Sequence, residues 1–420
     1  MCGGRGRRHK KNGGRRVVVT GMGLYSPIGN SPAEVMGSLH KGVSGIRRMP
    51  EWKEIKSLHT GVAGLCRGVD EALIPRKYRR SMGRVAVLAA LSARDAIGDS
   101  GLNEEQVASP RCGVSFGSTA GSSTAQEEFL RKVLTTSSLH GLQSSIYTKF
   151  MSHTCAANLV IMLQSKGPVI ASCTACVSGS QGIGFGYEAL RSGRADIMVA
   201  GGAEEMHFMD AGIFDIMHAT STKYNDEPDK TPRPFDAQRD GLVVGEGSGC
   251  LILEEFEHAR KRGANIHAEV AGYGTNADGS HITSPSAEGM AGAMLLALED
   301  AGLSPDRVGH INAHATATEA GDIAESIAVH SVFGDRVPVS AFKGYMGHTL
   351  GGCGGIESII TILMMRNGFM APTRNLESPD PRCAPLWHVR DTVMEKKFAV
   401  GMNNNFALGG VNTSLIFSLV

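Results

Sequence analysis

Cys176 stands in Ser172-Cys173-Thr174-Ala175-Cys176-Val177-Ser178-Gly179, between a strand-like run and the first turn of a predicted helix. Amides at a helix N-terminus favour an anionic sulfur there. A thiolate so placed accepts acyl groups, and the same amides suit the oxyanion of a tetrahedral intermediate. Two histidines have a matching setting. His314 follows Val308–Ala313 in Asn312-Ala313-His314-Ala315-Thr316-Ala317-Thr318, and His348 closes Lys343-Gly344-Tyr345-Met346-Gly347-His348. Residues at strand ends of open α/β sheets face a shared crevice, and Lys343 would add positive charge to the same place. Taken singly, each of these positions is equally well a small buried cysteine or one structural histidine among 15.

Other chemistries are less well served. Cys173 and Cys176 form a Cys-x-x-Cys, which fits thiol redox or zinc. A zinc site needs a second ligand pair at proper spacing, and the chain has no second such motif. A redox fold would place the pair after the first strand. Gly21-Met22-Gly23-Leu24-Tyr25-Ser26 approaches a dinucleotide fingerprint, but Ser26 replaces the third glycine and no acidic residue ends a second strand.

The elements that must carry these residues alternate between strand and helix patterns, predicting an α/β fold. Arg16–Thr20 predicts a strand ending at Gly21-Met22-Gly23. Gly83–Ile97 predicts a helix that stops at Asp99-Ser100-Gly101-Leu102, before the strand-like Cys112–Phe116. The same order returns later. Met290–Glu299 predicts a helix, Asp300-Ala301-Gly302-Leu303 stops it, and Val308–Asn312 predicts the strand. The two stops lie 201 residues apart. Likewise Val169–Ser172 leads into a helix at Ser178–Arg191, and Val337–Ala341 leads through a glycine-rich turn into Ile356–Arg366. Two similar halves, each with a parallel sheet, follow from this repeat. Gly182, Gly184 and Gly186 would each weaken the Ser178–Arg191 helix by about 1 kcal/mol, so that helix is expected to lie buried between sheets, close to another backbone.

Composition narrows the function. Of 420 residues 54 are glycine, about twice the usual share, without the period of collagen. The formal charge of +1 argues against nucleic acid as the main partner. Seven basic and no acidic residues fall in positions 1–16, and removing those seven charges from +1 leaves −6 for the remainder. Residues 1–14 are expected to be a disordered basic extension, residues 15–265 the half with the nucleophile, and residues 266–420 the half with both histidines. No apolar run is long enough to span a membrane, and nine scattered cysteines fit a cytoplasmic protein with reduced thiols.

Taken together the motifs resemble the β-ketoacyl-[acyl carrier protein] synthases of type II fatty acid synthesis, from about Arg15 to the C-terminus. Thr174-Ala175-Cys176, the Asn-x-His-x-Thr-x-Thr run at His314, and Lys343 to His348 carry the likeness. Pro234-Phe235-Asp236, Arg239-Asp240-Gly241 and Gly245-Glu246-Gly247 add to it, and Ser221-Thr222-Lys223-Tyr224-Asn225-Asp226 is similar to the synthase I branch. The resemblance implies a thiolase-like fold of two pseudo-symmetric halves in α-β-α-β-α layers, and a dimer, either of identical chains or with a related subunit. It implies that Cys176 takes an acyl group from acyl carrier protein. A malonyl thioester then loses CO2, and the carbanion attacks that acyl group. His314 and His348 would stabilise the enolate oxygen, with Lys343 orienting them. Thr316 and Thr318 would hold the phosphopantetheine arm, which arrives on the carrier, so no resident cofactor or metal is expected. Phe406, Leu408 and Glu357 complete the expected substrate-binding set, Leu408 supplying a second oxyanion amide.

The departures from the family pattern are specific. Ala407-Leu408 stands where Gly-Phe is usual, replacing an aromatic gate over the nucleophile; Ala315 stands for glycine and Glu319 for proline. His140 and Gln143 fall near positions that are basic in synthase I, whereas Arg76, Lys77 and Arg80 keep a basic cluster. A non-catalytic partner subunit would lack the cysteine. An initiating synthase, or a condensing enzyme of a polyene or other secondary-metabolite pathway, is the alternative the altered gate points to.

Overall fold

The computed structural model describes residues 14–420. The basic extension expected over residues 1–14 therefore lies, apart from Gly14, outside the described residues. Arg15 and Arg16 are anchored. Arg15 pairs with Asp196 at 2.5 Å and Arg16 with Glu269 at 2.6 Å, one on each half of the molecule.

The internal repeat is present in the strand order. In the first half Val169–Ile170, Cys112–Gly117, Ile197–Glu204, Gly247–Glu255 and Val17–Tyr25 lie side by side in that sequence. In the second half Pro338–Ser340, His310–Asn312, Val400–Ala407, Val411–Ser418 and Ala268–Ala277 follow the same order. Trp387–His388 extends the second half by one edge strand. The halves join through a short pairing of Val18 with Glu269 and Val19 with Ala268, giving eleven strands in one sheet.

Each half is mixed, which corrects the expectation of parallel sheets. Three strands of each half run parallel, a fourth pairs antiparallel with them, and a fifth pairs antiparallel with the fourth. In the second half connection length decides one of these pairings. Val400–Ala407 and Val411–Ser418 are linked by a tight hairpin through Leu408, Gly409 and Gly410, and so short a link permits only antiparallel pairing.

Helices Arg84–Ser100 and Ala287–Ala301 cover the outer faces of their respective halves, ending at left-handed Gly101 and Gly302. Ser178–Arg191 and Cys353–Asn367 form the middle layer, touching strands of both halves and each other. The expected burial of Ser178–Arg191 holds on both sides. A Cβ on Gly182 would meet Gly201 O at 2.4 Å, and one on Gly184 the Tyr273 ring at 2.2 Å.

The Gly21-Met22-Gly23 turn expected after the first strand is absent, since that strand runs on to Tyr25. A Cβ at Gly21 would lie 2.1 Å from Ala96 O, and one at Gly23 2.1 Å from Ser92 O. The glycines let a helix settle directly onto the strand. The second half repeats the device: Gly272 faces Ala297 and Gly274 faces Ala293.

Candidate active site

The nucleophile sits on a sharp elbow. Val169–Ile170 ends short, Ala175 takes φ 48°, and a single 3-10 turn over Ala175–Val177 delivers the chain into the helix at Ser178. Ser178 holds the elbow by accepting from Thr174 N–H at 2.9 Å and donating to Ala175 O at 2.7 Å. Cys176 is buried at the end of this turn.

His348 Nε2 lies 3.0 Å from Cys176 Sγ. Its backbone is held like a strand, His348 N–H donating to Val243 O and Gly245 N–H to His348 O. Leu350 N–H donates to His348 Nδ1 at 3.2 Å, so the hydrogen-bond pattern assigns the ring proton to Nε2. His314 follows the strand His310–Asn312, and Lys343 Nζ donates to its Nδ1 at 3.2 Å. That too assigns the proton to Nε2. The two imidazoles stand edge to face, 5.0 Å apart, and a nitrogen of each lies within 4.8 Å of Cys176 Sγ and of the other. Cys173 is outside this cluster: it is exposed, with Sγ on Thr119 O at 3.1 Å.

Burial pushes both imidazoles well below the usual histidine range, and the Lys343 charge adds to this, so both are neutral. Burial likewise works against the Lys343 ammonium, but the Glu357 carboxylate at 2.7 Å outweighs it and raises the lysine. The expected anionic sulfur is corrected here. Burial pushes the Cys176 thiol up to about 11, against the opposing pull of Lys343 and of the Leu408 and Cys176 amides. Desolvation of the buried sulfur exceeds what Lys343 and the two amides return, and the resting group is a thiol.

Cys176, His314, His348, Thr316, Thr318, Phe406 and Leu408 all line one cleft of about 1010 Å³. The Thr316 and Thr318 hydroxyls share a hydrogen bond of 2.9 Å. The Phe406 ring stands 6.2 Å from His314. Leu408, at the hairpin tip, is 41% exposed and brings its N–H to the nucleophile's sulfur. Glu357, expected among the substrate-binding residues, does not reach the cleft. It is fully buried behind Lys343, and its other oxygen accepts from Asn405 Nδ2 at 2.7 Å.

Several residues of the site escape a reading of the sequence. Glu325, eleven positions beyond His314, accepts from His314 N–H at 2.7 Å and Ala315 N–H at 2.6 Å. Those bonds hold a turn in which Ala315 and Ala317 take φ 28° and 66°. Glu204 ties the turn at Thr119 to the one at Gly351, accepting from both amides. Burial pushes Glu204 and Glu325 up to about 8. Acidic residues inside helical or strand patterns give no hint of such backbone work.

The doubled sheet-and-helix architecture is that of the thiolase-like enzymes. The chain belongs to the beta-ketoacyl synthase family: the N-terminal domain model matches residues 14–259 and the C-terminal domain model residues 267–377. It is 39% identical to 3-oxoacyl-[acyl-carrier-protein] synthase 1 of Haemophilus influenzae, covering 96% of this chain and 98% of that one. Synthase 2 of Vibrio cholerae is 38% identical at 96% and 99% coverage. Among solved structures, a beta-ketoacyl synthase from Burkholderia phymatum superposes with a TM-score of 0.94 at 46% identity, covering 97% of this chain and 100% of that one. The ishigamide ketosynthase/chain length factor superposes with a TM-score of 0.90 at 31% identity and the same coverage.

Proposed function

We propose that this protein catalyses the decarboxylative condensation of a Cys176-bound acyl group with malonyl-[acyl carrier protein], giving 3-oxoacyl-[acyl carrier protein] in fatty acid biosynthesis. The observation that carries this reading is one thiol beside two neutral imidazoles, each with its proton on Nε2. In the first step Cys176 sulfur attacks the carrier-bound thioester, and the Cys176 and Leu408 amides take the oxyanion. The carrier thiol leaves with the proton. In the second step the malonyl C–C bond breaks, CO2 departs, and the electron pair moves into an enolate. Its oxygen accepts from His314 and His348 Nε2–H. Neutral donors suit this step, because they stabilise developing charge without surrendering a proton to it. The carbanion attacks the acyl carbon and expels the Cys176 thiolate, which takes a proton from solvent to restore the resting thiol.

The arm that presents each thioester would run along Thr316 and Thr318, and it comes and goes with the carrier, so no resident cofactor or metal is needed. Arg76, Lys77 and Arg80 are exposed and form no ion pair among the described residues, leaving them free for an acidic carrier. A neighbour of 30% identity was solved as a ketosynthase with its acyl-carrier protein, which supports that partner. Exposed Leu134, Leu139, Tyr147, Ile161 and Val169, the last on an edge strand, support pairing with a second copy or a related subunit. Among the described residues no helix is long and apolar enough to cross a membrane.

Leu408 at the mouth of the cleft favours one second reading, the same chemistry in a dedicated pathway. Mass spectrometry of the acyl group trapped on Cys176 from cell extract separates the two. Ordinary saturated chains of mixed length support fatty acid synthesis; a single unsaturated or functionalised acyl group supports the dedicated pathway. An unmodified Cys176 under turnover overturns both.

A further inference from the structure

A second cavity, of about 490 Å³, opens beside the short strand pair Ile46–Arg48 and Val62–Gly64 and shares no lining residue with the cleft. Met49, Trp52, Ile55, Leu65, Met206 and Phe208 make its walls apolar. Its polar lining is Arg47, Arg84 and Glu246, with exposed Glu51 and with His207, whose Nε2 is engaged by Glu127 at 2.7 Å.

The charges here are unequally partnered. Glu246 is fully used: Arg84 donates to its two oxygens at 2.7 and 2.6 Å, Cys66 N–H donates at 3.0 Å and Met206 N–H at 3.3 Å. Arg47 is left over. Its side chain forms no hydrogen bond or ion pair among the described residues, and its Nε is buried without a partner. Burial, and then the like charge of Arg67, lower its pKa against the opposing pull of the nearby Glu246 carboxylate. An unpartnered buried donor is costly, more so on a charged group. A half-buried guanidinium with a buried, unpartnered Nε at the wall of a largely apolar cavity is complementary to an anion with a hydrocarbon body.

We propose that this cavity is a binding site for an apolar-tailed monocarboxylate, a medium-chain fatty acid, with its carboxylate on the Arg47 guanidinium and its chain along Trp52 and Phe208. Arginine matches a carboxylate with two parallel N–H donors, and the volume lies in the range of small-ligand pockets. The floor is near the chemistry: Glu246 adjoins Gly245, whose N–H donates to His348 O at 2.8 Å. The inference stands apart from the reaction proposed above, since it uses none of the cleft residues.

Trp52 and Trp387 are the two tryptophans of the chain. In full-length enzyme carrying Trp387→Phe, Trp52 becomes the one indole reporter and lies in the cavity wall. Titration with decanoate below its micellar range, after alkylation of Cys176, is expected to change Trp52 fluorescence saturably. 1-Decanol should bind at least tenfold more weakly. Arg47→Met should weaken decanoate at least tenfold and leave decanol unmoved, with Arg47→Lys in between. Equal titration by decanoate and decanol, no saturable signal, or undiminished decanoate binding by Arg47→Met would each overturn the site. If Arg47→Met does not fold, the acid-against-alcohol comparison on the native arginine decides alone.

Discussion

His348 Nε2 meets Cys176 Sγ at 3.0 Å while its Nδ1 is capped by Leu350 N–H. One imidazole is thereby pinned to one tautomer and aimed at the nucleophile. His314 is pinned the same way, with the Lys343 ammonium in place of an amide. The site thus offers two fixed N–H donors beside a sulfur. That division of labour separates the nucleophile from the groups that stabilise the enolate.

The separation can be measured. Cys176→Ala should abolish condensation yet still release CO2 from a malonyl thioester, because both imidazoles remain. His314→Ala removes one donor to the developing oxyanion and should slow CO2 release by about 10²–10³-fold. Radiolabelled malonyl thioester reports both reactions in one assay. Condensation by the cysteine variant at its original rate, or near-normal CO2 release by the histidine variant, would remove that residue from its role.

The raised thiol gives a pH signature. Only the thiolate reacts with iodoacetamide, and below a pKa of about 11 its fraction rises tenfold per pH unit. Alkylation of Cys176 should therefore accelerate roughly a thousandfold from pH 7 to pH 10 with no plateau. The histidines are displaced the other way and stay neutral through pH 6, so CO2 release by Cys176→Ala should be flat from pH 6 to 8. A plateau of alkylation near pH 7 would show that the amides and Lys343 outweigh burial after all.

Much of this site is legible in the sequence, for a reason that is local. Cys176, His314 and His348 each sit in a short turn whose residues announce a strand end; the strands before the two histidines lie side by side, while the strand before Cys176 takes the matching edge position in the other half. The helix Ser178–Arg191 and the stops at Gly101 and Gly302 are set by near-neighbour rules of capping and glycine content, and they fall as expected. What is not legible depends on contacts between distant segments. The thiol's ionisation turns on burial that no neighbour in sequence reports. Glu357 sits in an apolar helix, and its work on Lys343 and Asn405 appears only when three segments meet. Gly21 and Gly23 suggest a turn locally, and only the helix lying over them shows why the strand continues.

Lys343 and Glu357 are both fully buried, so removing either strands a charge. Lys343→Met or Glu357→Met alone should cost about 3–5 kcal/mol of stability. Lys343→Met with Glu357→Met together should cost clearly less than the two single effects added, since neither charge then remains. A double-mutant cycle by urea denaturation gives the coupling. Additive losses would mean that the two side chains act independently, and the pair would no longer account for the raised lysine.

The close seating of helix on strand makes a prediction for each half. A Cβ at Gly23 would lie 2.1 Å from Ser92 O and 2.6 Å from Ala96 N; at Gly274 it would lie 2.2 Å from Ala293 O and 2.5 Å from Ala297 N. These contacts are backbone, which cannot swing aside, so Gly23→Ala and Gly274→Ala should each destabilise by about 1–3 kcal/mol or more. Gly98 supplies the control. It lies in the same helix that covers Gly23, but it is exposed and a Cβ there meets nothing within 4 Å. Gly98→Ala should stabilise by up to about 1 kcal/mol through helix propensity. Denaturation midpoints of the three variants check the argument. Similar losses at Gly23 and Gly274 with a gain at Gly98 follow if both halves use glycine for close approach. A loss at Gly23 with none at Gly274 would show that the two halves pack differently despite sharing a strand order.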